Sequence, residues 1–262
     1  MRGYLSIQGR DIYCNLAEVA AAEQPAWCAL VLQPFGEEKR CALRTVVRIC
    51  KKLADAGIPA MTFDFSGTGD SSGDHAQARL SHWQAEAMET SREVKSLTGA
   101  SKLHLVALRS AALATISIPC EKLTLAEPLF TGRDFLHELE RRELIKAIHG
   151  GASSDQSQKE YAGFPYSDQM LRELGDAEVD PDFPNVRGPT QIIHVTGGKT
   201  CPPSWQPYLK NAASLLLRDR PFWGLTDYFE SLLPDFIASQ NTEPAREMPS
   251  DAEKAAAPSP RK

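Results

Sequence analysis

The chain has 262 residues, the length of one α/β domain with a sizeable core. Hydrophobic residues make up 42% of it and charged residues 24%, a balance that fits a soluble globular protein and excludes a disordered or fibrous one. The net charge of −5, with no basic stripe, argues against nucleic acid as a partner.

No apolar run reaches the about 18 residues expected of a membrane span. No apolar run with a small-residue cleavage site opens the chain, so no signal peptide is expected and the expected location is the cytoplasm. Cys14, Cys28, Cys41, Cys50, Cys120 and Cys201 form no C-x-x-C pair and none has a histidine at metal-ligand spacing. They read as small buried hydrophobes, and neither a metal nor a cofactor is expected.

Residues 3–19 read as two short strands around the polar turn Gly9-Arg10-Asp11. Residues 26–33 (AWCALVLQ) are a continuous apolar run, as in a parallel strand buried on both faces. Residues 39–56 carry Leu43, Val46, Val47, Cys50, Leu53 and Ala54 at helical spacing, and Gly57 supplies a stop. A strand is predicted at 59–65, a turn at 65–70, a helix at 81–97 and a third buried strand at 103–107. A small-residue helix at 110–114, a strand at 123–126, a late strand at 191–195 and a final helix at 226–237 follow. This strand–helix alternation implies a mostly parallel sheet flanked by helices, with right-handed crossovers.

Residues 130–185 break the rhythm with one charged helix (135–148), a polar loop (150–158) and a short segment near Gly163. They read as a small cap inserted over the carboxyl ends of the strands. The expected organisation is one domain over residues 1–239 and a disordered tail over 240–262, rich in Ala, Pro, Ser, Glu and Lys.

In open α/β sheets, ligands sit beyond the carboxyl ends of the strands. A nucleophile elbow there has the pattern G-x-S-x-G. The corresponding window is Ala107-Leu108-Arg109-Ser110-Ala111, with arginine at its centre. A guanidinium stays protonated and cannot attack a carbonyl. It binds an anion or pairs with a carboxylate, and Glu37, Glu38 and Glu127 are the candidate partners. Ser110 is the alternative nucleophile, with Leu108 then at the leading position, where a small residue is needed.

A triad also needs a histidine base. His75, His82, His104, His137, His149 and His194 are the histidines, and none lies beyond residue 194. His104 and His194 sit inside apolar strands and read as satisfied core histidines. Thr196-Gly197-Gly198-Lys199, after the late strand, offers no acid. Asp64 and Asp70 flank the Gly67/Gly69 turn and read as turn chemistry. Phe35-Gly36 follows the first long strand, where backbone N–H groups form an oxyanion site. Trp223, with Phe222, is a candidate for the pocket wall.

Several motifs in order resemble a known family. Pro34-Phe35-Gly36-Glu37-Glu38, Arg44 and the run from Asp64 to Asp74 (DFSGTGDSSGD) resemble a serine-aminopeptidase-like α/β hydrolase. Closer still is the exosortase A system-associated hydrolase family, type 2. Its elbow of the form G-L-R-x-G is similar to Ala107-Leu108-Arg109-Ser110-Ala111. Glu127-Pro128 before Gly132-Arg133-Asp134-Phe135-Leu136, Tyr161-Ala162-Gly163-Phe164-Pro165-Tyr166-Ser167 and Pro221-Phe222-Trp223 match further motifs, together covering roughly residues 25–238. Alanines replace the elbow glycines, and Glu127 stands where that family often has an amide.

The resemblance implies an α/β-hydrolase fold in a protein that accompanies exopolysaccharide and surface-protein export. Two readings follow. One is a catalytically degenerate binding or accessory protein whose pocket is formed by Arg109, Glu37, Glu38, Glu127, Phe35, Gly36 and Trp223. It would take an acyl or anionic small molecule, or a protein of the export system, as its partner. The other is an active esterase or acyl hydrolase that uses Ser110 or a glutamate-activated water. A vestigial pocket in a purely structural partner is a third.

Overall fold

The computed structural model describes residues 1–19, 24–148, 159–195, 201–223 and 231–241. The chain opens with β1 (Arg2–Ile7) and β2 (Arg10–Ala17), an antiparallel hairpin. Its turn is Gln8-Gly9, both with left-handed φ, so Arg10 and Asp11 lie in the strand and not in the turn predicted around them.

The α/β repeat follows: β3 (Trp27–Leu32), α1 (Glu37–Asp55), β4 (Ala60–Phe63), α2 (Leu80–Thr98), β5 (Lys102–Leu108) and β6 (Lys122–Ala126). These strands are almost wholly buried, as continuous apolar runs require. After β6 come α3 (Gly132–Ile148), the two-residue strands β7 (Glu160–Tyr161) and β8 (Phe164–Pro165), and α4 (Asp168–Asp176). The sheet is completed by β9 (Thr190–Val195) and β10 (Ala213–Leu217), and α5 (Leu233–Ser239) is the last described helix.

The eight-stranded sheet has the order β1-β2-β4-β3-β5-β6-β9-β10, parallel from β4 to β10 and antiparallel at β1 and β2. Strand alternation divides the core in two. Leu30, Leu32, Leu103 and Leu105 face Trp83 of α2. Ala29, Val31, Val106 and Ile193 face Val46 and Ile49 of α1 and Ile237 of α5.

Two elements differ from expectation. Residues 109–114 form a wholly buried 3-10 turn, not an α-helix. Thr115 closes it by donating both its N–H and its hydroxyl to Ala112 O, and the chain must reach β6 soon after. The described part of the final helix begins at Leu233, because Asp219 accepts from Ser231 Oγ at 2.9 Å and Leu232 N–H at 2.7 Å and pins the entry. The predicted start of that helix at 226 lies outside the described residues, as do the predicted loop 150–158 and most of the tail.

α4 and β10 were not predicted. α4 begins where Ser167 Oγ accepts the Met170 N–H at 3.0 Å. Its close approach to α3 depends on Gly132, since a Cβ there would collide with the Leu174 carbonyl. Among the described residues, no helix is long and apolar enough to cross a membrane.

Candidate functional site

The turn after β5 keeps the strained shape of an elbow. Arg109, at its apex, has φ of +54°, a conformation unfavourable for a residue with a Cβ. Its side chain is 5% exposed, so the guanidinium has left water and needs partners. Nε and Nη2 grip Glu38 as a fork, at 3.2 and 3.1 Å. Nη2 also reaches Glu138 Oε2 at 2.5 Å, and Nη1 donates to the Glu127 carbonyl at 3.3 Å. Trp223 lies under the guanidinium, 4.5 Å from ring centroid to Cζ. Burial opposes the charge, and Glu38 and Glu138 more than offset it, so the pKa of Arg109 is raised above its ordinary value.

Arg142 closes the network from the cap. Its Nη2 donates to Glu38 Oε1 at 2.5 Å and lies 3.7 Å from Glu138 Oε2. Glu138 and Arg142 stand four residues apart on α3 and so project from one side of it. Glu38 lies in the first turn of α1, where the helix dipole favours a carboxylate. One cluster thereby joins the first turn of α1, the elbow and the cap helix.

These contacts correct several expectations. Glu37 does not touch Arg109; it pairs with Arg142 at 3.8 Å. Glu127 accepts a hydrogen bond from Arg109 at its main-chain carbonyl, while its carboxylate feels that charge only through space. The carboxylate accepts from Val195 N–H at 2.6 Å and from His194 Nδ1 at 3.0 Å. Burial raises the Glu127 pKa, against the pull of the Val195 N–H and His194. Of the three candidate partners, Glu38 is the one whose carboxylate is hydrogen-bonded to Arg109 among the described residues.

At the expected oxyanion position, the Phe35 N–H is already taken. Ser110 is fully buried, and its Oγ accepts the Phe35 N–H at 2.9 Å, so that N–H is occupied. Gly36 has φ of +58°, and a Cβ there would come within 2.9 Å of Tyr166 Oη, so the cap covers this loop closely. Phe35 packs against Trp83 and Phe135, with ring centroids 4.8 and 5.9 Å apart, and aromatic carbon fills the space beside the elbow.

Among the described residues, no histidine is hydrogen-bonded to Ser110. His104 Nε2 pairs with Thr124 Oγ1 at 2.8 Å, and burial lowers its pKa to about 3. Its Nδ1 has no partner among the described residues, so it is only partly satisfied there. His75 meets the Pro165 carbonyl at 2.7 Å. Asp64 accepts the Asp70 N–H at 2.9 Å, as turn chemistry requires, and also pairs with Lys39 at 2.8 Å. No group of three or more His, Cys, Asp or Glu is placed to hold a metal ion among the described residues.

Glu138, Arg142 and Tyr166 complete the site and were not singled out as site residues. The Glu138/Arg142 spacing on a charged helix was visible, but its partner across the fold was not.

No protein-family model matches the chain, and no curated protein matches it. Many solved structures share its architecture. Est1E from Butyrivibrio proteoclasticus aligns at 13% identity over 91% of this chain and 95% of its own, with a TM-score of 0.60. A hypothetical protein from Pseudomonas aeruginosa aligns at 12% identity over 92% of each chain, with a TM-score of 0.63. The thioesterase domain from the curacin biosynthetic pathway aligns at 14% identity over 92% of this chain and 98% of its own, with a TM-score of 0.57. With these neighbours and a mostly parallel central sheet flanked by helices, the chain has the α/β-hydrolase fold.

Proposed function

We propose that this chain is a binding or accessory protein on the α/β-hydrolase fold, with an elbow that does no hydrolysis. The observation that carries the reading is Arg109 at the apex of the elbow, locked by Glu38 and Glu138. Acyl transfer at an elbow needs a nucleophile, a base within hydrogen-bond reach and free N–H donors for the oxyanion. Arg109 removes the first, and Ser110 has no base among the described residues. Phe35 has given its N–H to Ser110. The charged cluster instead fastens the cap to the core. The accessory role beside export machinery belongs to the same proposal and draws on the order of sequence motifs alone.

A second reading, hydrolysis by a glutamate-activated water, draws on the Glu127–His194 pair. The two are separated by measuring turnover of short-chain chromogenic esters and thioesters by the purified protein, Ser110→Ala and Glu127→Gln. The binding-protein reading expects no turnover above the uncatalysed rate from any of the three. Turnover abolished by Ser110→Ala overturns it in favour of a serine hydrolase. Turnover abolished only by Glu127→Gln overturns it in favour of the activated water.

A further inference from the structure

An open cleft begins beside the loop that follows β3 and runs outward along α1. It has a volume of about 530 Å³ and lies between α1 and strands β2 and β4; Phe35 and Gly36 of the loop beside the elbow line its inner end, whereas Arg109, Ser110, Glu38 and Glu127 do not line it. The volume lies in the range of small-molecule sites.

Its chemistry is divided. Phe63 and Phe65 contribute an apolar inner surface. Leu43 and Val47, one helical turn apart on α1, extend this surface to the solvent, 49% and 39% exposed. A soluble protein gains nothing in stability from two exposed aliphatic side chains beside an open apolar cleft, whereas a ligand would cover them.

Five charged side chains line the same cleft: Arg2, Lys39, Arg40, Asp64 and Asp70. Lys39 and Asp64 neutralise each other at 2.8 Å. Asp70 is the one remaining carboxylate, against two remaining guanidiniums. Arg2 and Arg40 are exposed and have no ion pair with any described residue. Arg40 stands three residues before Leu43, on the same side of α1. The mouth is therefore cationic where the wall is apolar.

We propose that this cleft binds an amphipathic anion, with its alkyl or aromatic body along Leu43, Val47 and Phe63 and its oxyanion head at Arg40 and Arg2. The proposal deepens the binding-protein reading and rests on it, because the ligand is held and not turned over. Carboxylate and phosphate heads share the chemistry that two guanidiniums recognise.

The test is calorimetric titration of the full chain with decanoate, decyl phosphate and decanol below their aggregation concentrations. Saturable binding of decanoate or decyl phosphate, with decanol markedly weaker, is expected, and the tighter of the two anions identifies the head group. Arg40→Glu should weaken the anions several-fold to about tenfold and leave decanol unchanged. Val47→Asp should weaken all three probes. Arg44→Glu, on the same helix but not lining the cleft, should change nothing.

Absence of saturable binding, decanol binding as tight as decanoate, or equal weakening by Arg40→Glu and Arg44→Glu would overturn the proposal. Those results leave the inert-elbow reading standing. Ser110-dependent ester turnover overturns that reading, and with it the claim that the cleft only holds its ligand.

Discussion

Arg109 combines two costs that proteins usually avoid, a left-handed φ on a residue with a Cβ and a buried charge. Both are tolerated because Glu38 and Glu138 satisfy the guanidinium. Removing one member of a buried pair leaves the other charge uncompensated, which costs about 3–5 kcal/mol. Arg109→Ala should therefore lower stability in urea unfolding by about 3 kcal/mol, at the low end because Arg142 still holds Glu38. The double variant Arg109→Leu with Glu38→Leu should recover most of that loss. Thr62 gives the opposite sign. Its hydroxyl is buried without a partner among the described residues, so Thr62→Val should raise stability by about 1 kcal/mol in the same assay.

His104 sets an acid-side dependence. The unfolded chain takes up its proton near the ordinary value of 6.5, while burial delays protonation of the folded state to about 3. The unfolded state thus binds more protons between those values, and stability falls as pH drops through that window. Unfolding midpoints measured across the window should decline in the native protein. They should decline less in His104→Gln, whose side chain does not titrate there.

At the scale of elements, the buried parallel strands were legible because continuous apolar runs have few other homes. β3, β5 and β6 fall within a residue or so of the predicted spans. The elements that escaped depend on tertiary detail. β10 is an edge strand with Ala213, Ser214 and Leu216 exposed, and so lacks the pattern of a buried run. α4 did carry a legible start, the Ser167 cap before Met170, Leu171 and Leu174, but its close packing through Gly132 was not readable from the sequence. The turn at 109–114 has helix-forming alanines, but the path to β6 leaves no room for an α-helix.

Cap closure also belongs to this scale. Glu138→Gln removes one charge from the cluster that fastens α3 and should speed amide exchange in α3 while leaving the central strands unchanged. Gly36→Ala would combine a left-handed φ with a clash at Tyr166. It should destabilise the protein by about 1–3 kcal/mol, read as a lowered urea midpoint.

The whole molecule has the α/β-hydrolase fold and places Arg109 at the left-handed apex of the turn after β5. The sheet order places β5 beside β3, so the turn after β5 and the loop after β3 meet, as Ser110 and Phe35 show. Arg109 was visible in the sequence because the elbow is a local motif. Its partner Glu38 was among the candidates, but Glu138 and Arg142 required knowing that α3 lies over the strand ends. The Glu127–His194 pair was equally hidden, since the two residues lie on neighbouring strands and are far apart in sequence.

The most direct test of an elbow without a nucleophile is covalent. The native protein is incubated with a fluorophosphonate, which phosphonylates an activated serine, and is then weighed and mapped by mass spectrometry. Unchanged mass, with Ser110 unmodified, is the expected result. A stoichiometric adduct on Ser110 would show an activated nucleophile there and contradict the proposal that this α/β-hydrolase-fold chain binds its ligand without turning it over.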